Sequence, residues 1–102
     1  MIKIMLVCNA GMSTSMLMNK MVDAAKQQVI EAVIWAIPDA NLNEEWKKAD
    51  VILLGPQVGY LKSRVETVTA GSVPVEIIPM LDYGRMNGPA VLALALKMKN
   101  NA

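Results

Sequence analysis

The cysteine of this chain stands in the stretch IMLVCNAGMSTS, where an apolar run ends and a glycine and three hydroxyl side chains follow. A loop that turns through Gly11 into a helix beginning near Ser13 would present backbone N–H groups without intrahelical partners, at the positive end of the helix dipole. Such a helix start binds anions. Thr14 and Ser15 add hydroxyl donors, and the first 22 residues contain no Asp or Glu. The pattern predicts an anion site beside Cys8.

The same positive field would stabilise a thiolate at Cys8. The sequence has no His, which excludes Ser-His-Asp and Cys-His activation of a nucleophile within the chain. A thiolate over a cradle of backbone donors can attack phosphorus while the donors hold the equatorial oxygens. We therefore interpret Cys8 as a nucleophile that accepts a phosphoryl group as S-phosphocysteine. The competing interpretation is a buried core thiol next to an ordinary Ser/Thr helix cap.

The composition excludes several other kinds of protein. At 102 residues the chain is expected to form a single domain, residues 1–102, with one core. One Cys and no His exclude an internal disulfide and a Cys/His zinc site, and we expect neither a metal nor a cofactor. A net charge of +1 and only four aromatic residues argue against nucleic-acid binding. The apolar runs are too short for membrane insertion, so we expect a cytoplasmic protein.

Strands and helices are predicted to alternate along the chain. The apolar and β-branched runs predict strands over Ile2–Cys8, Val29–Ile37, Asp50–Leu54 and Val73–Ile78. Helical spacing follows each of the first three, and the last helix is expected to begin near Pro89, after a loop over Pro79–Gly88. This alternation is typical of a parallel sheet, in which ligands bind beyond the carboxyl ends of the strands. Cys8 is expected at that edge.

Three segments, CNAGMSTSML, ADVILLGPQVGY and DYGRMNG, resemble in order and spacing the soluble IIB component of the lactose, cellobiose and chitobiose family of the phosphoenolpyruvate-dependent sugar phosphotransferase system. The resemblance covers essentially the whole chain. It implies an α/β fold with a four-stranded parallel sheet, expected order 2-1-3-4, and helices on both faces, similar to low-molecular-weight tyrosine phosphatases. The family's phosphorylated cysteine aligns with Cys8. Its phosphate-binding loop aligns with Asn9, Ala10, Gly11, Met12, Ser13, Thr14 and Ser15.

The resemblance also implies partners and an activity. The phosphoryl donor of the family is a phosphohistidine on a IIA protein, and the acceptor is a sugar bound in the membrane-embedded IIC component. The chain would thus be a phosphotransferase that carries a phosphoryl group to a sugar, with a β-linked disaccharide as the family expectation. Discrimination between sugars is expected mainly in the membrane component.

Two other functions compete with the carrier. A small thiol phosphatase of this fold uses C-x5-R, in which the Arg clamps phosphate, but Thr14 stands at that position. Asp82 in a late loop is where such phosphatases keep their general acid. The lack of a second Cys also argues against an arsenate reductase that turns over through a disulfide. The remaining alternative is a non-catalytic anion-sensing domain that keeps the loop and transfers nothing.

Three further residues are candidates for the rim of the site. Tyr83 and Arg85 follow the fourth predicted strand, where Tyr83 could cover the site and Arg85 could steer an anionic partner. Gln57 follows the third strand and could lie beside the site. For Tyr83 and Arg85 the competing interpretation is an ordinary surface loop with a partly exposed Tyr and a solvated Arg.

Overall fold

The computed structural model describes residues 1–8 and 12–101, and the side chains of Met12 and Ser13 lie outside that description. Within these residues four parallel strands form a sheet in the order β2-β1-β3-β4. The strands are β1 (Ile2–Cys8), β2 (Ala32–Pro38), β3 (Val51–Leu54) and β4 (Val75–Ile77). Direction and order confirm the predicted sheet.

Helices cover both faces of the sheet, as predicted. The α-helices are α1 (Met12–Gln27), α2 (Leu42–Glu45), α3 (Lys62–Thr69), α4 (Met80–Gly84) and α5 (Gly88–Asn100). Short 3₁₀ helices flank α2 at Asp39–Asn41 and Trp46–Lys48, and another, Pro56–Leu61, leads into α3. Helices α1 and α5 share one apolar cluster with the sheet, while α2 and α3 share the other.

Strand β1 is buried on both faces of the sheet. Ile4 and Leu6 belong to the cluster with α1 and α5, whereas Met5 and Val7 belong to the cluster with α2 and α3. Side chains alternate between the faces along a strand, so an uninterrupted apolar run is the sequence that a doubly covered strand requires. This burial fixes the position of the residue that ends the strand.

Strand β4 is shorter at both ends than the predicted Val73–Ile78, and two further segments differ from the sequence prediction. Strand β2 begins at Ala32 rather than Val29, because the end of α1 uses the intervening residues: Val29 adopts a left-handed φ of 56° and the Ile30 N–H donates to the Ala25 carbonyl at 2.8 Å. The predicted loop after β4 contains helix α4. Pro79 precedes it, and the single turn of α4 is too short for a clear helical periodicity.

Helix α1 is held against α5 by a close approach of backbones. Asn87 caps α5, its Oδ1 accepting from the Ala90 N–H at 3.2 Å. Gly88, the first residue of α5, is buried against α1, and a Cβ there would overlap the backbone carbonyl of Lys20. Glycine at this position therefore sets the distance between the two helices.

Substitution of this glycine should destabilise the fold through α1. We expect Gly88→Ala to lower the free energy of unfolding by about 1–3 kcal/mol, since the backbone of α1 would have to shift. Gly84→Ala is the matched control, because a Cβ there meets no atom within 4 Å. Urea denaturation followed by circular dichroism measures both. Equal stabilities of the two variants would contradict the proposed helix contact.

Charged groups meet at the amino end of the strands. Asp50 Oδ2 accepts from the Lys3 N–H at 2.8 Å and lies 3.4 Å from Lys99 Nζ, which links β1, β3 and α5. Burial alone would raise the pKa of the Asp50 carboxyl, but the Lys3 N–H and the Lys99 ammonium together hold that pKa below its ordinary value.

This carboxylate should make stability depend on pH. A pKa lowered by folding means that the charged form stabilises the fold above the unfolded pKa, about 3.9, and that this contribution disappears as pH falls through the folded pKa. We expect Asp50→Asn to cost at most about 1 kcal/mol at pH 7, because the pair is partly exposed and screened. The difference from wild type should be smaller at pH 3 than at pH 7, because the carboxyl begins to be protonated there. Urea denaturation at both pH values checks this, and an equal difference at both would contradict it.

Candidate active site

Cys8 ends the central strand β1 at the carboxyl edge of the sheet. Its register partner on β2 is Pro38, and β3 lies on the other side of β1. The thiol is 1% exposed, and Sγ donates a weak hydrogen bond to the Ile37 carbonyl at 3.9 Å. The edge is the one at which parallel sheets bind ligands, as the sequence predicted.

Helix α1 begins four residues after Cys8, and its first turn contains no acidic side chain. The positive end of its dipole is therefore not neutralised by a carboxylate of that turn. Thr14 in this turn is buried, whereas Ser15 is exposed. Of the other residues predicted for the phosphate-binding loop, Asn9, Ala10 and Gly11 lie outside the described residues, as do the side chains of Met12 and Ser13. Their role stays a prediction.

The Tyr83 hydroxyl joins two other predicted site residues. Its oxygen lies 3.1 Å from Thr14 Oγ1 and accepts a hydrogen bond from Gln57 Nε2, also at 3.1 Å. Tyr83 lies on α4, Thr14 on α1, and Gln57 in the 3₁₀ helix after β3. The structure thus brings together three predicted site residues that follow three different strands, β1, β3 and β4.

Gly55 allows Gln57 to fold back toward the end of β1. The Gly55 N–H donates to the Val7 carbonyl at 3.0 Å. A Cβ at Gly55 would lie 2.8 Å from Gln57 Oε1 and 3.6 Å from the same Val7 oxygen. The Gln57 amide therefore lies over Gly55, whose own N–H is bonded to the carbonyl of the residue before Cys8. Sequence reasoning missed this contribution of Gly55, for which the sequence Gly55-Pro56-Gln57 was the available signal.

Arg85 does not join this cluster. Its side chain is exposed, and it makes no ion pair with any described residue. Asp82 is half-buried on α4, and its backbone carbonyl accepts from the Asn87 N–H at 2.9 Å. The predicted rim is therefore divided: Tyr83 and Gln57 are tied to the first turn of α1, whereas Arg85 remains on the surface.

Residues 3–94 match the model of the family described as "PTS system, Lactose/Cellobiose specific IIB subunit". The chain belongs to this family. Like IIB components in general, it is a phosphotransferase of sugar transport. The resemblance inferred from the three sequence segments is confirmed. Within the described part of the chain, no helix is long and apolar enough to cross a membrane.

Relatives of this IIB chain are named for different sugars. It is 39% identical over 100 residues to the oligo-beta-mannoside-specific EIIB component of Bacillus subtilis, covering 97% of each chain. It is 41% identical over 103 residues to the galactose-specific EIIB component of Lactococcus lactis subsp. cremoris, covering 95% of each. The solution structure of the cellobiose-specific IIB protein of Borrelia burgdorferi superimposes with a TM-score of 0.81 at 46% identity, covering 98% of this chain and 93% of that one.

Two buried threonines of this IIB chain offer a test of the hydrogen bond to Tyr83. Thr14 and Thr69 are 1% and 2% exposed, but the Thr69 hydroxyl has no partner among the described residues. We expect Thr14→Val to cost about 1 kcal/mol of unfolding free energy, since a buried hydrogen bond is lost. Thr69→Val should be neutral or stabilising by up to about 1 kcal/mol, since an unpaired hydroxyl is removed. Urea denaturation decides, and a Thr14→Val variant as stable as Thr69→Val would contradict the assignment.

Proposed function

We propose that the chain is a phosphocysteine carrier. Cys8 accepts a phosphoryl group from a phosphohistidine on a IIA partner and passes it to a sugar bound in the membrane IIC component. The observation that carries this proposal is the position of the thiol: it ends the central strand, four residues before a helix whose first turn has no carboxylate. We place the chain in the cytoplasm, where its single thiol would stay reduced.

The two transfers balance without a further reactant. In the first, the Cys8 thiolate attacks phosphorus, an S–P bond forms, and the P–N bond breaks with its electron pair left on the histidine of the partner. In the second, a sugar hydroxyl oxygen attacks the same phosphorus, the S–P bond breaks, and the hydroxyl proton passes to the departing Cys8 sulfur. Each step is a displacement in which fixed donors hold the phosphoryl oxygens.

We assign those donors to residues 9–15. The N-terminal N–H groups of α1 lack partners within the helix, and their dipoles favour a dianion. Side-chain hydroxyls of Ser13, Thr14 and Ser15 add donors of the kind that phosphoryl oxygens accept. The absence of acidic residues from the first turn of α1 supports this assignment.

The residue at position 14 favours a carrier over a phosphatase. A phosphatase places an Arg there, which clamps phosphate through two charged hydrogen bonds and stabilises attack by water. Thr14 is neutral, and its hydroxyl is bound to Tyr83. A loop without that clamp should accept the phosphoryl group yet hydrolyse it slowly, which a carrier requires because the phosphocysteine has to survive until the sugar arrives.

The sugar is proposed to be a β-linked disaccharide. The names of the relatives specify an oligo-β-mannoside, galactose and cellobiose at similar levels of identity. Two of these three are β-linked oligosaccharides. The soluble chain contacts the sugar only at its phosphoryl group in this scheme, so sequence differences among IIB chains need not follow the sugar.

The first experiment is the intact mass of wild type and Cys8→Ser after incubation with the phosphoenolpyruvate-driven phosphotransfer proteins and a IIA partner. We expect one added phosphoryl group on wild type and none on Cys8→Ser, because the thiol is the only nucleophile of its kind in the chain. The group should persist after the partner is removed.

Phosphorylation of the IIA partner is checked in the same spectra. An unmodified wild-type chain beside fully phosphorylated IIA proteins would remove the support for a carrier. A phosphoryl group that also appears on Cys8→Ser would place the site elsewhere. Rapid loss of the group from isolated wild type would favour a phosphatase.

A further inference from the structure

The Tyr83 hydroxyl is the shared member of two long-range hydrogen bonds. Its partners Thr14 and Gln57 lie 69 and 26 residues away in sequence. Thr14 is buried in the first turn of α1, while Gln57 lies over Gly55 next to the end of β1. One hydroxyl therefore links the first turn of α1 to the 3₁₀ helix after β3, at the edge of the sheet where Cys8 lies.

The chemistry of the Gln57 side chain fixes the direction of one hydrogen bond in this cluster. An amide Nε2 only donates, so the Tyr83 oxygen accepts from Gln57 and its own proton is left to donate. Either hydroxyl can donate between Tyr83 and Thr14; in the arrangement that we infer, Tyr83 donates to Thr14 Oγ1 and the Thr14 proton remains to be donated in turn. Hydrogen bonds in such a chain polarise one another, so each donor is strengthened by the one before it.

We propose that Tyr83 is a positioning residue for phosphoryl transfer. Held by Gln57, its hydroxyl fixes the rotamer of Thr14 in the first turn of α1 before a partner docks. This inference rests on the proposed function, because the group that the loop positions is the phosphoryl group on Cys8. Tyr83 acts through Thr14 and touches neither the partner nor the reacting atoms.

The ring and the hydroxyl of Tyr83 can be separated by substitution. The half-buried ring packs against the apolar cluster that α1 and α5 share, and Phe retains that packing. Tyr83→Phe therefore removes only the hydrogen-bonding oxygen. The chain offers a matched control in Tyr60, its only other tyrosine, which is 73% exposed.

The first test measures the rate of phosphoryl transfer from a phosphorylated IIA partner to the chain. We expect Tyr83→Phe to lower kcat about fivefold, the effect of losing one neutral hydrogen bond that orients Thr14. KM for the IIA partner should stay within about twofold, since docking is unaffected. Tyr60→Phe should match wild type. A normal kcat, or a raised KM alone, would overturn the proposal.

A double-mutant cycle then tests whether Tyr83 acts through Thr14. Thr14→Val should lower kcat at least as much as Tyr83→Phe, since it also removes a donor to the phosphoryl group, and the double variant should be no slower than Thr14→Val alone, because the Tyr83 hydroxyl acts through Thr14. Thr14→Ser keeps the hydroxyl and should restore most of the rate. Effects that multiply in the double variant would overturn the assignment to this pair.

A second measurement does not depend on transfer. Cys8 is the only thiol of the chain and is 1% exposed, so its alkylation by iodoacetamide reports local opening. We expect Tyr83→Phe to speed this alkylation severalfold, at conditions where urea denaturation shows the fold intact, and Tyr60→Phe to leave it unchanged. An unchanged rate in Tyr83→Phe would overturn the proposal even if transfer slowed.

The outcomes separate this inference from the proposed function. If wild type accepts no phosphoryl group from any phosphorylated IIA partner, the carrier function fails and the positioning role fails with it. If wild type and Tyr83→Phe accept the group at the same rate on Cys8, the carrier function stands and only the role of Tyr83 is overturned.

Discussion

The central place of β1 between two parallel neighbours constrains the rest of the molecule. Because all strands run in one direction, the connections that leave β1, β3 and β4 start at the same edge of the sheet. These connections supply Thr14, Gln57 and Tyr83. Residues that are far apart in sequence thus meet at the edge of the sheet where Cys8 lies as a consequence of strand order, and an arrangement of this kind does not depend on any local motif alone.

The sequence predicted the parts of this arrangement that local patterns determine. The continuous apolar run before Cys8 predicted a central strand, and the glycine and hydroxyl residues after it predicted the start of α1. The later start of β2 was not predictable, because the same apolar residues serve the end of α1 at Val29. The hydrogen bond between Thr14 and Tyr83 could not be predicted from the sequence either, since 69 residues separate them and only the folded topology brings them together.

Position 14 bears directly on the chemistry that we propose for the site. An Arg at this position brings a permanent charge and a planar pair of donors to the phosphate. The Thr brings one neutral hydroxyl donor whose orientation depends on its neighbours. Here Tyr83 is hydrogen-bonded to that hydroxyl, and Gln57 holds Tyr83 in place. The tyrosine that sequence analysis assigned to the rim is therefore better understood together with Thr14 than as a cover over the site.

The two ends of the sheet rely on different forces. At the amino end, Asp50 binds Lys3 and Lys99 through a carboxylate, so its contribution depends on protonation and on salt. At the carboxyl end, the Thr14, Tyr83 and Gln57 side chains are joined through neutral hydroxyl and amide groups. Acidification weakens the ionic contacts of Asp50, but it leaves the hydrogen bonds at the carboxyl end intact as long as the chain stays folded. The geometry of this cluster is thereby kept independent of the charge state of the opposite end, and the positive end of the α1 dipole lies at the same edge as the cluster.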